Sequence, residues 1–529
     1  MAPNDYTDKD RHEDMNVLHG MGYAQELSRS MSKFSNFAIS FSIICILSGG
    51  INSFAQAISS VGGAGAGIGW IVGCVLSGMF ALAMAQIASA FPTAGGLYHW
   101  ASILGGRFWG WLTAWLNLLG LITVLGAINI GTAYFFTGTF GSMFGFTGTD
   151  WQVVSFVAAI TIVQALFNHL GIKVTTILTD ISGYIIFATT AVLVLACLYY
   201  APAIDISRLW TFTNFSGEAG GNVFPQSDNV GYLFLLCLLL PVYTITGYDA
   251  SAHTSEETKN AAVSVPKGIV NAVFWSSLVG WVMICAITLA IPDLAVAAGQ
   301  GWGMFFATMD AIMPAGLKVV LYLGILIAQF LCGLATVTSA SRMLFAFSRD
   351  DGLPVGSKAL SSVSPKYRTP VTAIWTATAL CILYVLLAMS IKVAGTSIYV
   401  IVVNSTLVFL FLSFTIPLVA GLFAYGTSKW PNPGPWAMSE GTYKLVTVLS
   451  VFGMAVILFI AVAPPNERVL WVVLGFVGLG ILLWTGIWPI VKVFWHGEQS
   501  RFEGPPTGDR IAARKAVIAA AEAAVGEKG

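Results

Sequence analysis

The chain has 529 residues, 56% of them hydrophobic and only 9% charged, with a formal net charge of zero. Soluble globular domains carry about 25% charged residues, so this composition excludes a soluble protein and points to one embedded in a lipid bilayer. It gives no sign of a nucleic-acid partner. The seven cysteines (Cys45, Cys74, Cys197, Cys237, Cys285, Cys332, Cys381) all fall in apolar runs without close-spaced cysteine or histidine partners. They read as free, buried thiols, and no metal site is expected.

The chain opens with a polar segment, 1–33, that lacks the short apolar core and cleavage site of a secretory leader. Twelve apolar runs long enough to cross about 30 Å of hydrocarbon follow: 34–59, 67–91, 107–140, 151–170, 174–200, 231–252, 266–292, 315–348, 371–391, 395–424, 443–463 and 468–495. A polar loop, 201–230, separates the fifth from the sixth and holds an Asn214-Phe215-Ser216 glycosylation sequon, which reads as a chance match. The tail 496–529 is Ala-rich, with Arg510, Arg514 and Lys515 grouped on it; it reads as a solvated helix, a frayed end or a helix on the inner leaflet. With the N-terminus placed in the cytoplasm, 21 of the 25 Lys and Arg residues fall inside, and only Arg208, Lys318, Lys392 and Arg468 outside. Both termini are therefore expected in the cytoplasm of a plasma (inner) membrane protein.

Two of the twelve runs cannot be plain helices. The first carries Ser48-Gly49-Gly50-Ile51-Asn52-Ser53 near its centre, and the sixth carries Pro241 and then Thr244-Ile245-Thr246-Gly247-Tyr248-Asp249. Gly49 lies 15 residues after Phe34 and Gly247 lies 16 after Gly231, so the interruptions sit at matching depths. Paired interruptions are the sequence mark of a five-plus-five inverted repeat with a midplane substrate site. The repeats would be 34–200 and 231–424, with the last two spans, in 425–495, outside them.

Such breaks suit a zwitterion. Free N–H groups at a helix break, backed by a half-helix dipole, replace water around a carboxylate, and Gly49 and Gly50 allow close backbone approach. Carbonyls from Tyr243 to Thr246 can receive an ammonium. Asp249 either adds charge beside an extended amine or is a structural carboxylate. Tyr248 either stacks on an amine or packs. Asp180 in the fifth run is a possible coupling acid or a packing residue. Thr338 and Ser339 can offer oxygens to a coupling sodium ion or bond their own helix. Asn117, Asn129, Gln329 and Asn404 are candidate site-lining amides or interhelical hydrogen bonders. Glu256, Glu257 and Lys259, facing the basic stretch that starts at Arg342, are expected to form a weak, exposed cytoplasmic gate. His99, His169 and His253 fall at the cytoplasmic edges and read as interface residues.

Three stretches look familiar: Gly247-Tyr248-Asp249-Ala250-Ser251-Ala252-His253-Thr254-Ser255-Glu256-Glu257-Thr258-Lys259-Asn260-Ala261 continuing to Ile269, Phe91-Pro92-Thr93-Ala94-Gly95-Gly96-Leu97-Tyr98-His99-Trp100, and Ser341 to Pro354. Together they resemble the amino acid–polyamine–organocation transporters, nearest the branch of GABA permeases and amino acid/choline transporters, over residues 20 to 495. The resemblance implies an all-α, LeuT-like fold of twelve transmembrane helices with helices 1 and 6 discontinuous, working by alternating access. It also implies a substrate site at Ser48, Gly49, Gly50, Ile51, Thr244, Thr246, Gly247 and Tyr248. One departure is visible: some relatives place a lysine inside helix five in lieu of a coupling cation, whereas Lys173 here precedes the span and 174–200 has no lysine.

The leading expectation is a secondary transporter for an amino acid or small amine such as GABA, coupled to a proton or sodium gradient and needing no other cofactor. A choline or polyamine transporter, an exchanger and a non-transporting sensor share the pattern. A channel would want a continuous polar stripe, and an enzyme a nucleophile or metal constellation; neither is seen.

Overall fold

The computed structural model describes residues 6–390 and 398–487, together with Phe502, Gly504, Pro505, Pro506, Ile511, Arg514 and Ile518. The expected Lys392 and the far end of the twelfth span lie outside the described residues, as does nearly all of the tail 496–529.

Among the described residues all regular structure is helical. Helix α1 (Asp8–Gly20) precedes the first span, which is built from α2 (Lys33–Ile44), α3 (Gly49–Asn52) and α4 (Phe54–Val61). A π-helical turn leads into α5 (Trp70–Ala90), and the short α6 (Leu97–Gly105) connects it to α7 (Arg107–Thr139), α8 (Asp150–His169) and α9 (Ile172–Tyr200). The sixth span is again in pieces, α10 (Val230–Cys237), α11 (Leu239–Thr244) and α12 (Ala250–His253). Then come α13 (Ala261–Ala290), the surface helices α14 (Leu294–Gly299) and α15 (Met304–Ile312), and the long α16 (Ala315–Arg349). The short α17 (Ser357–Leu360), α18 (Val371–Ser390), α19 (Ile398–Ala424), α20 (Glu440–Val462) and α21 (Glu467–Leu482) complete the chain. Among the described residues eleven helical segments are long and apolar enough to cross a membrane, and α10–α11 form a shorter apolar stretch between them.

Burial sorts the spans into layers. Helix α7 is buried along nearly its whole length and packs closely on α19, while α16 joins α7 to α2 and α9. In contrast α20 and α21 expose large apolar side chains such as Phe452, Phe459 and Trp471. An apolar outer face is what lipid requires and water forbids.

The two breaks have local causes. In the sixth span the hydroxyls of Thr244 and Thr246 turn back to the carbonyls of Leu240 (2.7 Å) and Val242 (2.6 Å), competing with the backbone ladder. Gly247 then takes φ of 103°, a left-handed conformation unfavourable for any side chain. In the first span the break falls at Cys45–Ser48, one turn before the Gly49-Gly50 pair, because Cys45 takes φ of 26° and α3 restarts at Gly49. Side chains of α16 satisfy carbonyls freed there: the Cys332 thiol donates to Ile43 (3.2 Å) and the Gln329 amide to Leu47 (3.2 Å).

The seventh span starts at Ala261, five residues before the expected Pro266. A proline inside a helix deprives the carbonyl four residues back of its donor, here that of Ala262. Ser89 supplies the missing bond at 2.8 Å. At the tip of the same helix, Asp14 of α1 accepts from the amides of Asn260 (2.8 Å) and Ala261 (3.1 Å). The N-terminal segment is thus part of the bundle and caps it. An Asp14→Ala variant loses an anionic cap and is expected to be about 1–2 kcal/mol less stable, read as a lower unfolding temperature in detergent, with Asp14→Asn between the two.

Candidate functional site

The breaks in the first and sixth spans lie against each other. A Cβ on Gly49 would come within 2.9 Å of the Thr244 Cα, and one on Gly247 within 2.2 Å of the Ile43 Cγ2. Only glycine lets the two backbones approach this closely. Among the described residues, no hydrogen bond uses the amides of Ile46, Leu47, Thr246, Gly247 or Tyr248, and none reaches the carbonyls of Thr244, Ile245 or Thr246. The amides of Gly49 and Gly50, in contrast, bond Cys45 and Ile46. The open donors of the first span therefore lie one turn earlier than the glycine pair. Open donors on one side and open acceptors on the other are the two halves of a receptor for a carboxylate and an ammonium.

Buried side chains around the breaks add unpartnered polar atoms: Ser53 Oγ, Gln56 Oε1, Gln329 Oε1, the Tyr248 hydroxyl, and both amide atoms of Asn404. A cavity of about 230 Å³ adjoins α3 from the end of the bundle that carries α14 and α15, lined by Ile51, Asn52, Tyr134, Trp302 and Tyr399 among others. Ser48 and Tyr243 are buried in this region. The Tyr248 ring packs on Phe414 (5.6 Å between centroids), which leaves its hydroxyl rather than its face available.

The opposite end, which carries Arg29, Arg342, Arg349 and Arg368, is closed. Helix α2 is bound to α12 and the turn after it by a polar zipper. Asn36 donates to the Ser251 carbonyl (3.0 Å) and to Thr258 Oγ1 (2.9 Å), and Ser40 donates to the Tyr248 carbonyl (2.9 Å) and receives the Ser251 amide (3.0 Å). Two forked ion pairs then tie the turn to α16: Arg342 to Glu257 (3.0 and 2.9 Å) and Arg349 to Glu256 (2.9 and 2.7 Å). Glu256 also receives the Ala94 amide (3.1 Å). The expected weak, exposed gate is corrected on two counts. The glutamates and Arg342 are fully buried, where an ion pair is held by desolvated, forked geometry and is costly to break. Lys259, expected in the same gate, has its ammonium over the Tyr6 ring (5.3 Å) and its amide bonded to Met31.

A second cluster beside the clamp escaped the sequence reading. The buried Asp350 carboxylate receives the hydroxyls of Tyr23 (2.6 Å) and Tyr98 and faces His99 Nε2 (3.1 Å). Arg349 covers the Tyr23 ring at 4.0 Å. His99, expected at an interface, is fully buried, and burial pushes its pKa down. Burial would raise the Asp350 and Glu256 carboxyls, but the His99 bond to Asp350 and the Arg349 charge beside Glu256 outweigh it, so both pKa values lie below the ordinary carboxylate value. The signal was present in the sequence, since Tyr98, His99 and Asp350 all fall inside the quoted motifs; what could not be seen was their convergence from three elements.

The remaining candidates scatter. Asp180 accepts from Ser35 (3.0 Å) at the start of α2, near the closed end and away from the breaks. Thr338 donates to Asn168 (2.7 Å) and Ser339 only to its own helix (3.5 Å), so their hydroxyls are engaged elsewhere. Asn129 bonds Gln164 and Thr161. Asn117 donates toward Asp249 (3.4 Å) and Ser413 (3.3 Å). His169 pairs with Trp375 at a helix edge. Asn214 of the sequon already donates to Ser227 and accepts from Ser216. His253 is fully buried within the bundle, and its Nε2 faces the Asp249 carboxylate at 3.3 Å. Asp249 is therefore turned toward His253 and Asn117.

An all-helical membrane bundle whose two broken spans meet at its centre, open-ended on one side and clamped on the other, is a permease architecture. The sequence profile of the amino acid permease family matches residues 31–484, and the chain belongs to that family. It is similar to the amino-acid permease BAT1 of Arabidopsis thaliana, 32% identical over 476 residues, 85% of this chain and 88% of the relative. It is also similar to the GABA-specific permease of Saccharomyces cerevisiae, 28% identical over 514 residues, 93% of this chain and 86% of the relative. Amino-acid permease 2 of Neurospora crassa matches at 28% over 514 residues, covering 93% and 89%.

Breaking the clamp from one side should cost more than removing it. Glu257→Gln or Arg342→Met alone is expected to destabilise the protein by about 3–5 kcal/mol, and the double variant by less than either, measured by thermal unfolding in detergent. Because the Glu256 pKa is depressed, its contribution is complete above the ordinary carboxylate range and fades only as pH falls through the lowered value. The loss caused by Glu256→Gln should therefore be equal at about pH 8 and about pH 5.5.

Proposed function

We propose that the chain is a secondary active transporter that moves an amino acid or a related small amine, GABA among the candidates, by alternating access and is driven by an ion gradient. The observation that carries this reading is the pair of facing helix breaks, with open amides at Ile46, Leu47 and Thr246–Tyr248 and open carbonyls at Thr244–Thr246. The substrate carboxylate would sit on the amides and its ammonium on the carbonyls. Both sets are neutral dipoles, a match for a zwitterion of zero net charge; a quaternary amine would want a free carboxylate, and Asp249 turns its Oδ2 toward His253 and Asn117. The names of the similar permeases, one of them GABA-specific, favour the same substrate class.

The excess of basic residues at the clamped end supports placing that end, with both termini, in the cytoplasm. Substrate would enter from the side of the Trp302 and Tyr399 cavity and leave when α2 and α12 swing away from α16. The polar zipper makes these two half-helices move as one unit.

Uptake of radiolabelled GABA, alanine, glutamate, arginine and choline into proteoliposomes, under separately imposed proton and sodium gradients, tests the reading: accumulation of a zwitterion is expected, and accumulation of choline alone would overturn it. Gly247→Ala should abolish uptake while leaving membrane insertion intact, because the added methyl meets Ile43 and forces φ away from 103°.

A further inference from the structure

Asp249 and His253 are a buried pair of ionisable groups close to the break in the sixth span. Both are fully buried. They sit one helical turn apart on α12, between the substrate break and the clamp. His253 Nδ1 lies 3.3 Å from the Ala94 carbonyl. A carbonyl only accepts, so this nitrogen carries a hydrogen. That fixes what faces Asp249: the other nitrogen, Nε2, at 3.3 Å from Oδ2. A bare imidazole nitrogen and an ionised carboxylate oxygen would repel at that distance. A proton on either one turns the contact into attraction, and Asn117 supports Oδ2 from α7 at 3.4 Å.

Among the described residues, no other counter-charge is within ion-pair distance. Helix α2 presents Asn36 and Ser40 to this segment, α7 presents Asn117, α19 presents Ser413 and Phe414, and α13 presents Gly268, none of which titrates. Tyr248, adjacent on the same segment, is a phenol. From α16 come Arg342 and Arg349, both committed to Glu257 and Glu256, and His99 of α6 is committed to Asp350. Among the described residues, His253 is the only group within ion-pair distance of Asp249.

We propose that Asp249 and His253 together form the proton-binding site that couples transport to a proton gradient; this rests on the transporter reading above. The docked geometry places Nε2 3.3 Å from Oδ2 without a formed hydrogen bond and leaves both Nε2 and Asp249 Oδ1 unpartnered, so a single proton bound by the pair neutralises a buried charge that nothing else satisfies. Ala94 and Asn117 belong to the loop before α6 and to α7, not to α12, so when α12 swings away to open the clamped end the pair loses both supports and is exposed to water. The shared proton then passes to water, leaving ionised Asp249 and neutral His253; the emptied pair re-docks unprotonated and takes its next proton from the opposite side, past the break that adjoins it. The N–H or O–H bond that carried the proton breaks, its electron pair stays on Nε2 or Oδ2, and water becomes hydronium; no heavy-atom bond changes. Uptake with the clamp closed and release with it open runs the proton in the same direction as substrate. The clamp pairs themselves, with depressed Glu256, stay charged throughout and need not titrate.

The test compares wild type, Asp249→Asn and His253→Gln in proteoliposomes. Three readings are taken with radiolabelled GABA, alanine, glutamate and arginine: accumulation against an imposed pH gradient, exchange at equilibrium without a gradient, and proton entry seen by an entrapped pH dye. Both variants are expected to lose accumulation and substrate-linked proton entry by about tenfold or more while exchange persists. Undiminished proton-driven accumulation in either variant overturns the proposal, as does accumulation by wild type on sodium alone. If wild type neither accumulates nor exchanges any of the four, the transporter reading fails instead. The pair is then judged by infrared difference spectroscopy during a pH titration of the purified protein. A carboxylic C=O band that wild type shows and Asp249→Asn lacks upholds proton binding; identical spectra sink it.

Discussion

Every feature of the centre of this molecule follows from one constraint: a backbone that stops being helical where no bulk water reaches must find other partners for its N–H and C=O groups. An unsatisfied group there costs several kcal/mol. Some of the groups freed in the first span are taken by α16, through Cys332 and Gln329. Those in the sixth are partly taken by threonine hydroxyls one turn on. What remains open faces across the gap between the two breaks, where a zwitterion offers complementary charge. In the proposed reading the site is a remainder, the part of the hydrogen-bonding capacity that the fold would leave to a substrate.

The same constraint explains why the other end is heavily bonded. A half-helix such as α12 is too short to be stable alone, and it is held by α2 through Asn36 and Ser40, by α16 through two forked ion pairs, and by the N-terminal segment through Asp14, Gln25 and Arg29. Arg29 and Gln25 donate to the carbonyls of Thr258 and Glu256, so even the backbone of the turn is anchored from outside the membrane spans. In the proposed transport cycle such a segment would move as a body, by exchanging one set of partners for another. Discrete arrangements of that kind are what alternating access requires.

Much of this was legible in the sequence. Apolar run length located the spans to within a few residues, because hydrocarbon thickness sets helix length. Gly49, Gly247 and the threonines around 245 marked the breaks, because few residue types tolerate or cause one. The exceptions are instructive. The first break fell at Cys45, since its position depends on Cys332 and Gln329, nearly 300 residues away. Pro266 looked like a helix start, and it is an interior residue because Ser89 covers the carbonyl it orphans. Glu256 and Glu257 looked exposed because charge usually is, and they are buried because two arginines of α16 arrive at the right depth.

The sequence by itself determined the membrane setting, the twelve spans, the two interrupted helices and the family, since each is written in local composition or short motifs. Only the tertiary structure decided which polar groups meet. Asp249 could have faced substrate, cation or solvent; its neighbours His253 and Asn117 sit one turn and three spans away, and nothing in local sequence fixes the rotation that joins them. His99 and Asp350, 251 residues apart in the chain, converge for the same reason. Hydropathy is a property of each segment, whereas hydrogen-bond and ion-pair geometry belongs to the contacts between segments, and those exist only once the helices are packed.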